Sequence, residues 1–280
     1  MKRLFAFGCS LTYYTWPTWA DLISTDFDEY YNFGVMGMGN QFIHHTVYEA
    51  DSIFEFNSND TVLVMFTNPF RNDSFIVDPL DDRLRWQSRG FIYQPSNKDL
   101  YTEEWRNKFW SSEQSYMQTW LAIKSINHLL KSSKANYKLL PGISCSNSSG
   151  TGPVAVNDLD FISPYYDQII NMLHVTEPLF EWSNQNYKKE DFYRFNGDPE
   201  PDQHPTISMH GKYVQTFMPD LSKNLSDTVL ENLEKQMDFS SQETNWLNPY
   251  FMEYRGKKVG SVRNWQYNVT NRLGIETFKK

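Results

Sequence analysis

The chain has 280 residues, of which 40% are hydrophobic and 16% aromatic, and its formal net charge is −8. A chain of this length and composition can bury a large core, which excludes a disordered or low-complexity protein. The acidic balance argues against nucleic acid or an anionic membrane as a partner, because both need clustered lysine and arginine.

The compartment is constrained by only two cysteines, Cys9 and Cys145. This number rules out a disulfide framework and is compatible with a reducing environment. No run approaches the ~20 apolar residues of a membrane span, and the apolar stretch at the N-terminus is too short for a signal peptide. We therefore expect no membrane span, no signal peptide, and a cytoplasmic or virion-associated protein.

The N-terminal segment predicts a strand that leads into a tight turn. Arg3 to Phe7 is apolar and aromatic, and Gly8 and Cys9 separate it from Ser10. Glycine allows the backbone to turn closely, and open α/β sheets place their ligands at the carboxyl ends of strands. Ser10 is therefore a candidate nucleophile, although an ordinary turn after a buried strand explains this stretch equally well.

Strand and helix patterns then alternate, which predicts an α/β fold with a parallel sheet. Further strands are expected at 30–33, 61–66 and 137–140, and a fifth within 175–196. Helices are expected at 16–23, 41–56, 111–131, 165–173, 206–217 and 228–237. In the helix 111–131, the residues expected to face inward are Tyr116, Met117, Trp120, Leu121, Ile123 and Leu130.

Two segments depart from this alternation. Residues 70–107 are interpreted as an insertion over the sheet edge, with a hairpin around Phe91–Tyr93. Residues 226–280 are interpreted as an aromatic-rich C-terminal extension that packs on the domain or on a partner and offers a surface for homo-oligomers. The remainder, 1–225, is predicted to be one domain.

The loops after the second and third predicted strands carry polar groups to the same edge as Ser10. Gly34, Gly37 and Gly39 suit a loop whose backbone N–H groups approach a ligand closely. A dinucleotide-binding turn or a P-loop is the rival interpretation, but the glycine spacing differs and no Lys-Ser/Thr follows. Asn68 comes directly after the third strand, so its amide is expected at this edge.

Metal and cysteine chemistry are the main alternatives for a site. His44 and His45 are adjacent on a predicted helix, where neighbouring side chains point about 100° apart and do not easily share one ion. We expect structural or surface histidines, no metal and no cofactor. Cys145 has no activating basic residue nearby in the sequence, so it is interpreted as a bystander.

Four short motifs, taken together and in this order, resemble the SGNH/GDSL hydrolase family. They are Gly8-Cys9-Ser10-Leu11-Thr12, Asn32-x-Gly34-x-x-Gly37, Thr67-Asn68 and Asp202-x-His204-Pro205. The resemblance covers 1–68 and 201–217. It implies a three-layer α/β/α sandwich with a mostly parallel sheet of about five strands, the flavodoxin-like fold of that family.

The resemblance also implies roles for individual residues. Ser10 matches the nucleophile, His204 the base and Asp202 the acid that orients the base. The backbone N–H groups of Ser10 and Gly37 and the side-chain amide of Asn68 match the oxyanion hole. These roles agree with the chemistry, since a serine hydroxyl needs an imidazole to take its proton and a tetrahedral oxyanion needs donors fixed in advance.

The sequence departs from the family pattern in two places that bear on these roles. Cys9 stands where the family has Asp, a position that is not catalytic. The family usually places its acid three residues before the histidine, whereas Asp202 lies two residues before His204. Glu200 and Asp198 therefore stay open as alternative acids.

Two functions from different classes fit these observations. The first is a serine esterase that removes an acyl group, acetyl above all, from a carbohydrate or another neutral substrate. The second is a glycan-binding or structural module, for example a virion or surface component, that keeps the fold with little turnover.

Overall fold

The structure is a computed structural model. It describes residues 1–77, 84–93, 97–145, 168–169, 171–175, 177–195 and 198–235. The described strands are β1 (Arg3–Gly8), β2 (Glu29–Gly34), β3 (Asp60–Phe66), β4 (Arg71–Val77), β5 (Leu84–Phe91) and β6 (Asn136–Pro141). The helices of at least five residues are α1 (Trp19–Ile23), α2 (Asn40–Phe54), α3 (Glu103–Phe109), α4 (Ser112–Ser133), α5 (Leu179–Asn186), α6 (Ile207–Phe217) and α7 (Asp227–Lys235).

The central sheet has the order β2-β1-β3-β6, and its strands are parallel. β1 and β3 lie in the middle, and their apolar residues from Leu4 to Phe7 and from Val62 to Phe66 have no solvent exposure. Continuous apolar runs of this kind are typical of strands that are covered on both faces. All four strands point their carboxyl ends to one edge of the sheet, which is where β1 delivers Ser10.

Helices cover both faces of the sheet, so the protein has three layers. On one face, Phe42 and Ile43 of α2 and Ile123 of α4 pack with the Phe5 side of β1. On the other face, α1, α5, α6 and α7 pack against Leu4 and its neighbours. The fold is therefore an α/β/α sandwich with a parallel sheet, as predicted. Within the described ranges no helix is long and apolar enough to cross a membrane.

The predicted fifth strand is wrong. Residues 177–186 contain the helix α5, and the described part of 175–196 holds no strand. Pro178 is the N-cap of this helix, and Leu179 and Ser183, one helical turn apart, are both buried. The four-residue spacing of the buried side chains is the helical period, which the scattered aromatic residues of this segment concealed.

The insertion contains a hairpin, but not where it was predicted. β4 and β5 pair in antiparallel fashion, with Arg71 opposite Phe91. Phe91 is thus the last residue of a strand and does not lie in a turn. Its ring lies against the guanidinium group of Arg71, whose Cζ is 5.1 Å from the ring centroid, a contact that favours the paired strand.

The inward face of α4 also differs in part from the prediction. Met117 is 41% and Leu121 63% exposed, whereas Tyr116 and Trp120 are buried. One residue along a helix rotates a side chain by about 100°, so the neighbours of a buried stripe point outward. The predicted aromatic tail beyond residue 235 lies outside the described residues. Of the predicted helix 165–173, residues 168–169 are helical, 171–173 are not, and 165–167 and 170 lie outside the described residues.

Candidate active site

Ser10 lies in the tight turn that follows β1. The turn is closed by the backbone N–H groups of Thr12 and Tyr13, which donate to the carbonyl oxygen of Cys9 at 2.9 and 3.1 Å. A Cβ atom on Gly8 would come within 2.0 Å of Thr12 Oγ1, so only glycine fits at the end of this strand. Ser10 itself is only 4% exposed.

His204 approaches Ser10 from the loop before α6. Its Nε2 atom is 2.9 Å from Ser10 Oγ, although 194 positions separate the two residues. The indole N–H of Trp16 donates to the carbonyl oxygen of Pro205 at 2.9 Å and so ties the histidine loop to the segment after Ser10. Thr206 then caps α6 by accepting from the backbone N–H of Met209.

Asp202 lies on the other side of the imidazole. Its Oδ1 atom is 2.6 Å from His204 Nδ1 and also accepts from the backbone N–H of His204 at 2.7 Å. This arrangement holds the tautomer that carries its proton on Nδ1 and presents Nε2 to Ser10 as an acceptor. Burial alone would raise the pKa of Asp202, but hydrogen bonds from His204 and Tyr14 outweigh it and hold the pKa below its ordinary value.

The alternative acids do not reach the imidazole. Glu200 is exposed and pairs with Lys189, and Asp198 is also exposed. The structure therefore brings Ser10, His204 and Asp202 into one hydrogen-bonded line and leaves the other two carboxylates at the surface.

Tyr14 is a site residue that the sequence did not identify. Its hydroxyl group donates to Asp202 Oδ2 at 2.6 Å, and its ring stacks on the imidazole of His204 with a centroid distance of 3.8 Å. Burial and the neighbouring Asp202 raise the pKa of Tyr14, so its hydroxyl stays protonated. No sequence signal distinguishes Tyr14 from Tyr13, because a turn has no period that tells which side chain points inward.

Gly37 lies in the loop that follows β2. Because Gly34 pairs with Gly8 across the parallel strands, this loop begins beside the turn of Ser10. Gly37 has a φ of +80°, a conformation that side chains with a Cβ rarely adopt.

Asn68 lies just beyond the end of β3 and is 7% exposed. Its Oδ1 atom accepts from the backbone N–H of Phe70 at 2.8 Å, which turns its Nδ2 group the other way. Ser10, Gly37 and Asn68 thus follow the carboxyl ends of three neighbouring strands.

The other candidates have local roles. His44 Nε2 is 3.1 Å from Ser125 Oγ, and the ring of His45 packs on Trp86. Burial lowers the pKa of both histidines. The described ranges contain no group of three residues that could hold a metal ion. Cys145 is buried, and burial raises the pKa of its thiol to about 12, far from that of a reactive thiolate.

No protein-family model and no curated protein matches this chain. Among solved structures, it is similar to a member of the lipolytic protein G-D-S-L family from Veillonella parvula at 13% identity, covering 80% of this chain and 98% of that one, with a TM-score of 0.37. A putative lipolytic protein of the G-D-S-L family from Desulfitobacterium hafniense shows 13% identity, coverage of 79% and 99%, and a TM-score of 0.39. An alpha/beta hydrolase enzyme from the metagenome of Lake Arreo shows 11% identity, coverage of 80% and 97%, and a TM-score of 0.44.

Similarities of this size do not define a function. The chain is an α/β protein of three layers, with a parallel sheet that carries a serine, a histidine and an aspartate in hydrogen-bonded sequence at its carboxyl edge.

Proposed function

We propose that this protein is a serine hydrolase that cleaves a carboxylic ester. The observation that supports the proposal is the hydrogen-bonded line from Ser10 Oγ through the imidazole of His204 to Asp202. It is formed by two segments of the chain that lie 194 positions apart. Nucleophile, base and orienting acid in this order are the elements of acyl transfer on several unrelated folds.

In the proposed mechanism, His204 Nε2 takes the hydroxyl proton as Ser10 Oγ attacks the ester carbonyl. Asp202 stabilises the imidazolium that forms. The oxyanion of the tetrahedral intermediate accepts hydrogen bonds from the backbone N–H groups of Ser10 and Gly37 and from Asn68 Nδ2. Collapse of the intermediate releases the alcohol, which leaves with the proton held by His204.

The second half of the reaction regenerates the enzyme. A water molecule gives a proton to His204 Nε2 and attacks the acyl-Ser10 carbonyl, and the second intermediate releases the carboxylic acid as Ser10 recovers its proton. No cofactor is needed. We propose acetyl or another short acyl group on a neutral carbohydrate as the substrate, because the net charge of −8 disfavours anionic partners and aromatic side chains are suited to stacking on sugars.

A fluorophosphonate probe and p-nitrophenyl acetate test the proposal together. The wild-type protein should be labelled and should hydrolyse the ester, whereas Ser10→Ala should lose both properties and keep its melting temperature. In the best-studied triad, removal of the serine costs ~10⁶-fold in kcat. An unlabelled, inactive wild-type protein would instead favour a binding module with the same fold.

The identity of the acid is tested with a matched pair of carboxylates. Asp202→Asn should lower kcat by at least about 100-fold, given that the corresponding change costs ~10⁴-fold in a serine protease. Glu200→Gln, at the exposed carboxylate two residues earlier, should stay within about threefold of wild type. A normal Asp202→Asn enzyme would leave a dyad of Ser10 and His204 in place of the triad.

A further inference from the structure

The hairpin β4–β5 holds the loop that carries Gly37. Asp73 of β4 is only 5% exposed, and both of its carboxylate oxygens accept from the backbone N–H of Gly39, at 2.7 and 3.0 Å. Its Oδ2 atom also accepts from the backbone N–H of Phe42 at 3.0 Å. Gly39 is the N-cap of α2, so the carboxylate supplies the acceptors that the first turn of this helix lacks.

Two further side chains of the hairpin bind the same loop. Ser88 Oγ of β5 donates to the carbonyl oxygen of Gly37 at 2.6 Å. Arg71 Nη1 of β4 donates to the carbonyl oxygen of Met38 at 3.2 Å. The three consecutive residues 37–39 are therefore each held by a different hairpin side chain.

The packing is close as well as polar. A Cβ atom on Gly39 would lie 2.9 Å from the carbonyl oxygen of Arg71, and one on Gly37 would lie 3.2 Å from Ser88 Oγ. The loop backbone and the hairpin thus touch without an intervening side chain. Glycine is the residue whose backbone is least restricted by its own side chain. The direction of the Gly37 amide therefore depends on contacts of the loop, which are one turn hydrogen bond of 3.3 Å within 35–38 and the contacts with the hairpin.

Building on the proposed function, we propose that Asp73 and Ser88 are positioning residues that fix the Gly37 N–H in the oxyanion hole. The hairpin belongs to the segment that interrupts the strand–helix alternation, and this role makes it part of the catalytic apparatus. Donors to an oxyanion are effective because they are aimed before the charge develops. Loss of the contacts should therefore weaken binding of the transition state more than binding of the substrate.

The test compares Asp73→Asn and Ser88→Ala with Asp60→Asn. Asp60 is a matched control, because it is also buried and also accepts several hydrogen bonds, from Arg3 at 2.7 Å and from the backbone N–H of Asn57 at 2.8 Å. It lies at the opposite, amino end of β3, so its replacement reduces stability without reaching the site.

Hydrolysis of p-nitrophenyl acetate should separate the three variants. We expect Asp73→Asn to lower kcat by about 10- to 100-fold with KM within about threefold, since loss of a whole oxyanion donor costs 10²–10³-fold. Ser88→Ala should lower kcat by about three- to tenfold, because it removes one contact of the loop. Affinity for a trifluoromethyl ketone, which forms a tetrahedral oxyanion with the serine, should fall by the same factors, and Asp60→Asn should change neither quantity.

Amide hydrogen exchange in each variant gives a readout besides activity. Exchange in 35–39 should accelerate in Asp73→Asn and Ser88→Ala and stay unchanged in Asp60→Asn. An active wild-type enzyme whose Asp73 and Ser88 variants keep the wild-type kcat and inhibitor affinity would overturn this inference alone. A wild-type protein that is neither active nor labelled would overturn the proposed function, and the inference with it.

Discussion

Three hydrogen-bond donors reach the two carboxylate oxygens of Asp202. The position of Asp202 two residues before His204 did not predict this. One oxygen accepts from both the backbone and the ring of His204, and the other accepts from Tyr14. An aspartate that binds the backbone N–H two residues later forms a compact turn. The two-residue spacing, which left the identity of the acid open in the sequence, is thus the spacing that lets a single oxygen contact both N–H groups.

Tyr14→Phe separates the hydrogen bond that Tyr14 makes to Asp202 from its ring contact with His204, because phenylalanine keeps the ring and removes the hydroxyl group. We expect kcat to fall about three- to tenfold with little change in KM, since one hydrogen bond to a charged group is worth about 1.5–3 kcal/mol at most. Tyr14→Leu should lose more, because the stacked ring is lost as well.

Tyr137→Phe is the control for Tyr14→Phe. Tyr137 donates to Asn127 Oδ1 at 2.8 Å, away from the line of Ser10 and His204. This variant should keep the wild-type kcat. Equal kcat values for Tyr14→Phe and wild type would mean that Asp202 needs no second donor.

Only the site residues that belong to a short sequence motif could be predicted from the sequence. Ser10, Asp202 and His204 stand in such motifs, and the structure places them together. Tyr14, Asp73 and Ser88 stand in no motif. Their roles depend on contacts between segments far apart in the chain, and Asp73 reaches its partners only because the hairpin folds over α2.

The strands and helices were predicted correctly where the sequence has one clear periodicity of apolar residues. β1, β3 and α2 have clear strand or helix patterns, and the structure has them close to the predicted bounds. The segment of α5 was misassigned because its aromatic residues obscure the spacing of the two buried ones. The hairpin β4–β5 was misplaced because the polar residues of β4, among them the buried Asp73, do not resemble a strand.

The first residue of α2 connects this helix to the end of β3. Asn40 accepts from the backbone N–H of Thr67 at 2.8 Å and donates to the carbonyl oxygen of the same residue at 2.8 Å. Its Nδ2 group also contacts Thr119 Oγ1 of α4 at 3.1 Å. The side chain of Asn40 thus binds the backbone of the residue before Asn68 and connects α2, the end of β3 and α4.

Asn40→Ala should therefore affect stability and activity together. It leaves the buried N–H group of Thr67 without a partner and leaves its C=O group with only the weak thiol donor of Cys145 at 3.8 Å. The free energy of unfolding should therefore fall by about 2–4 kcal/mol. The released backbone should also misplace Asn68 and lower kcat by about tenfold or more.

Asn127→Ala is the control for Asn40→Ala, since Asn127 is another buried helical asparagine. It should lose only about 1 kcal/mol of stability, with the wild-type kcat. If Asn40→Ala were destabilised but fully active, the end of β3 would be held by other contacts. Urea unfolding and steady-state kinetics measure the two effects.

Two buried titratable groups make the stability of the whole molecule depend on pH, and their effects have opposite signs. Burial raises the pKa of Asp73 to about 6, against the opposing effects of the N–H groups of Phe42 and Gly39 and of the charge on Arg71. Burial, with a smaller contribution from the nearby His204, lowers the pKa of His210 to about 3. Neither ring nitrogen of His210 has a hydrogen-bond partner among the described residues.

The sign of each contribution follows from which state binds the proton more tightly. The folded protein holds the Asp73 proton more tightly than the unfolded chain, so this contribution is complete below about pH 4 and is lost as the pH rises through about 6. The unfolded chain holds the His210 proton more tightly, so that contribution is complete above about pH 6.5 and is lost as the pH falls toward 3. Each amounts to ~1.4 kcal/mol per pH unit within its window.

Between about pH 4 and pH 6, Asp73 lowers the free energy of unfolding of the wild-type protein as the pH rises, whereas His210 increases it. Because the two effects partly cancel, each is measured in a variant that lacks one of the groups. Relative to wild type, Asp73→Asn should gain about 2 kcal/mol in the free energy of unfolding as the pH rises from 4 to 6.5, because the group that loses stability is absent. His210→Leu should gain about 3 kcal/mol as the pH falls over the same interval, since leucine has no proton to bind in the unfolded chain. Urea unfolding of the three proteins at half-unit pH steps measures both differences. Each variant serves as the control for the other, and a difference from wild type that does not change with pH would show that the replaced group titrates normally in the folded protein.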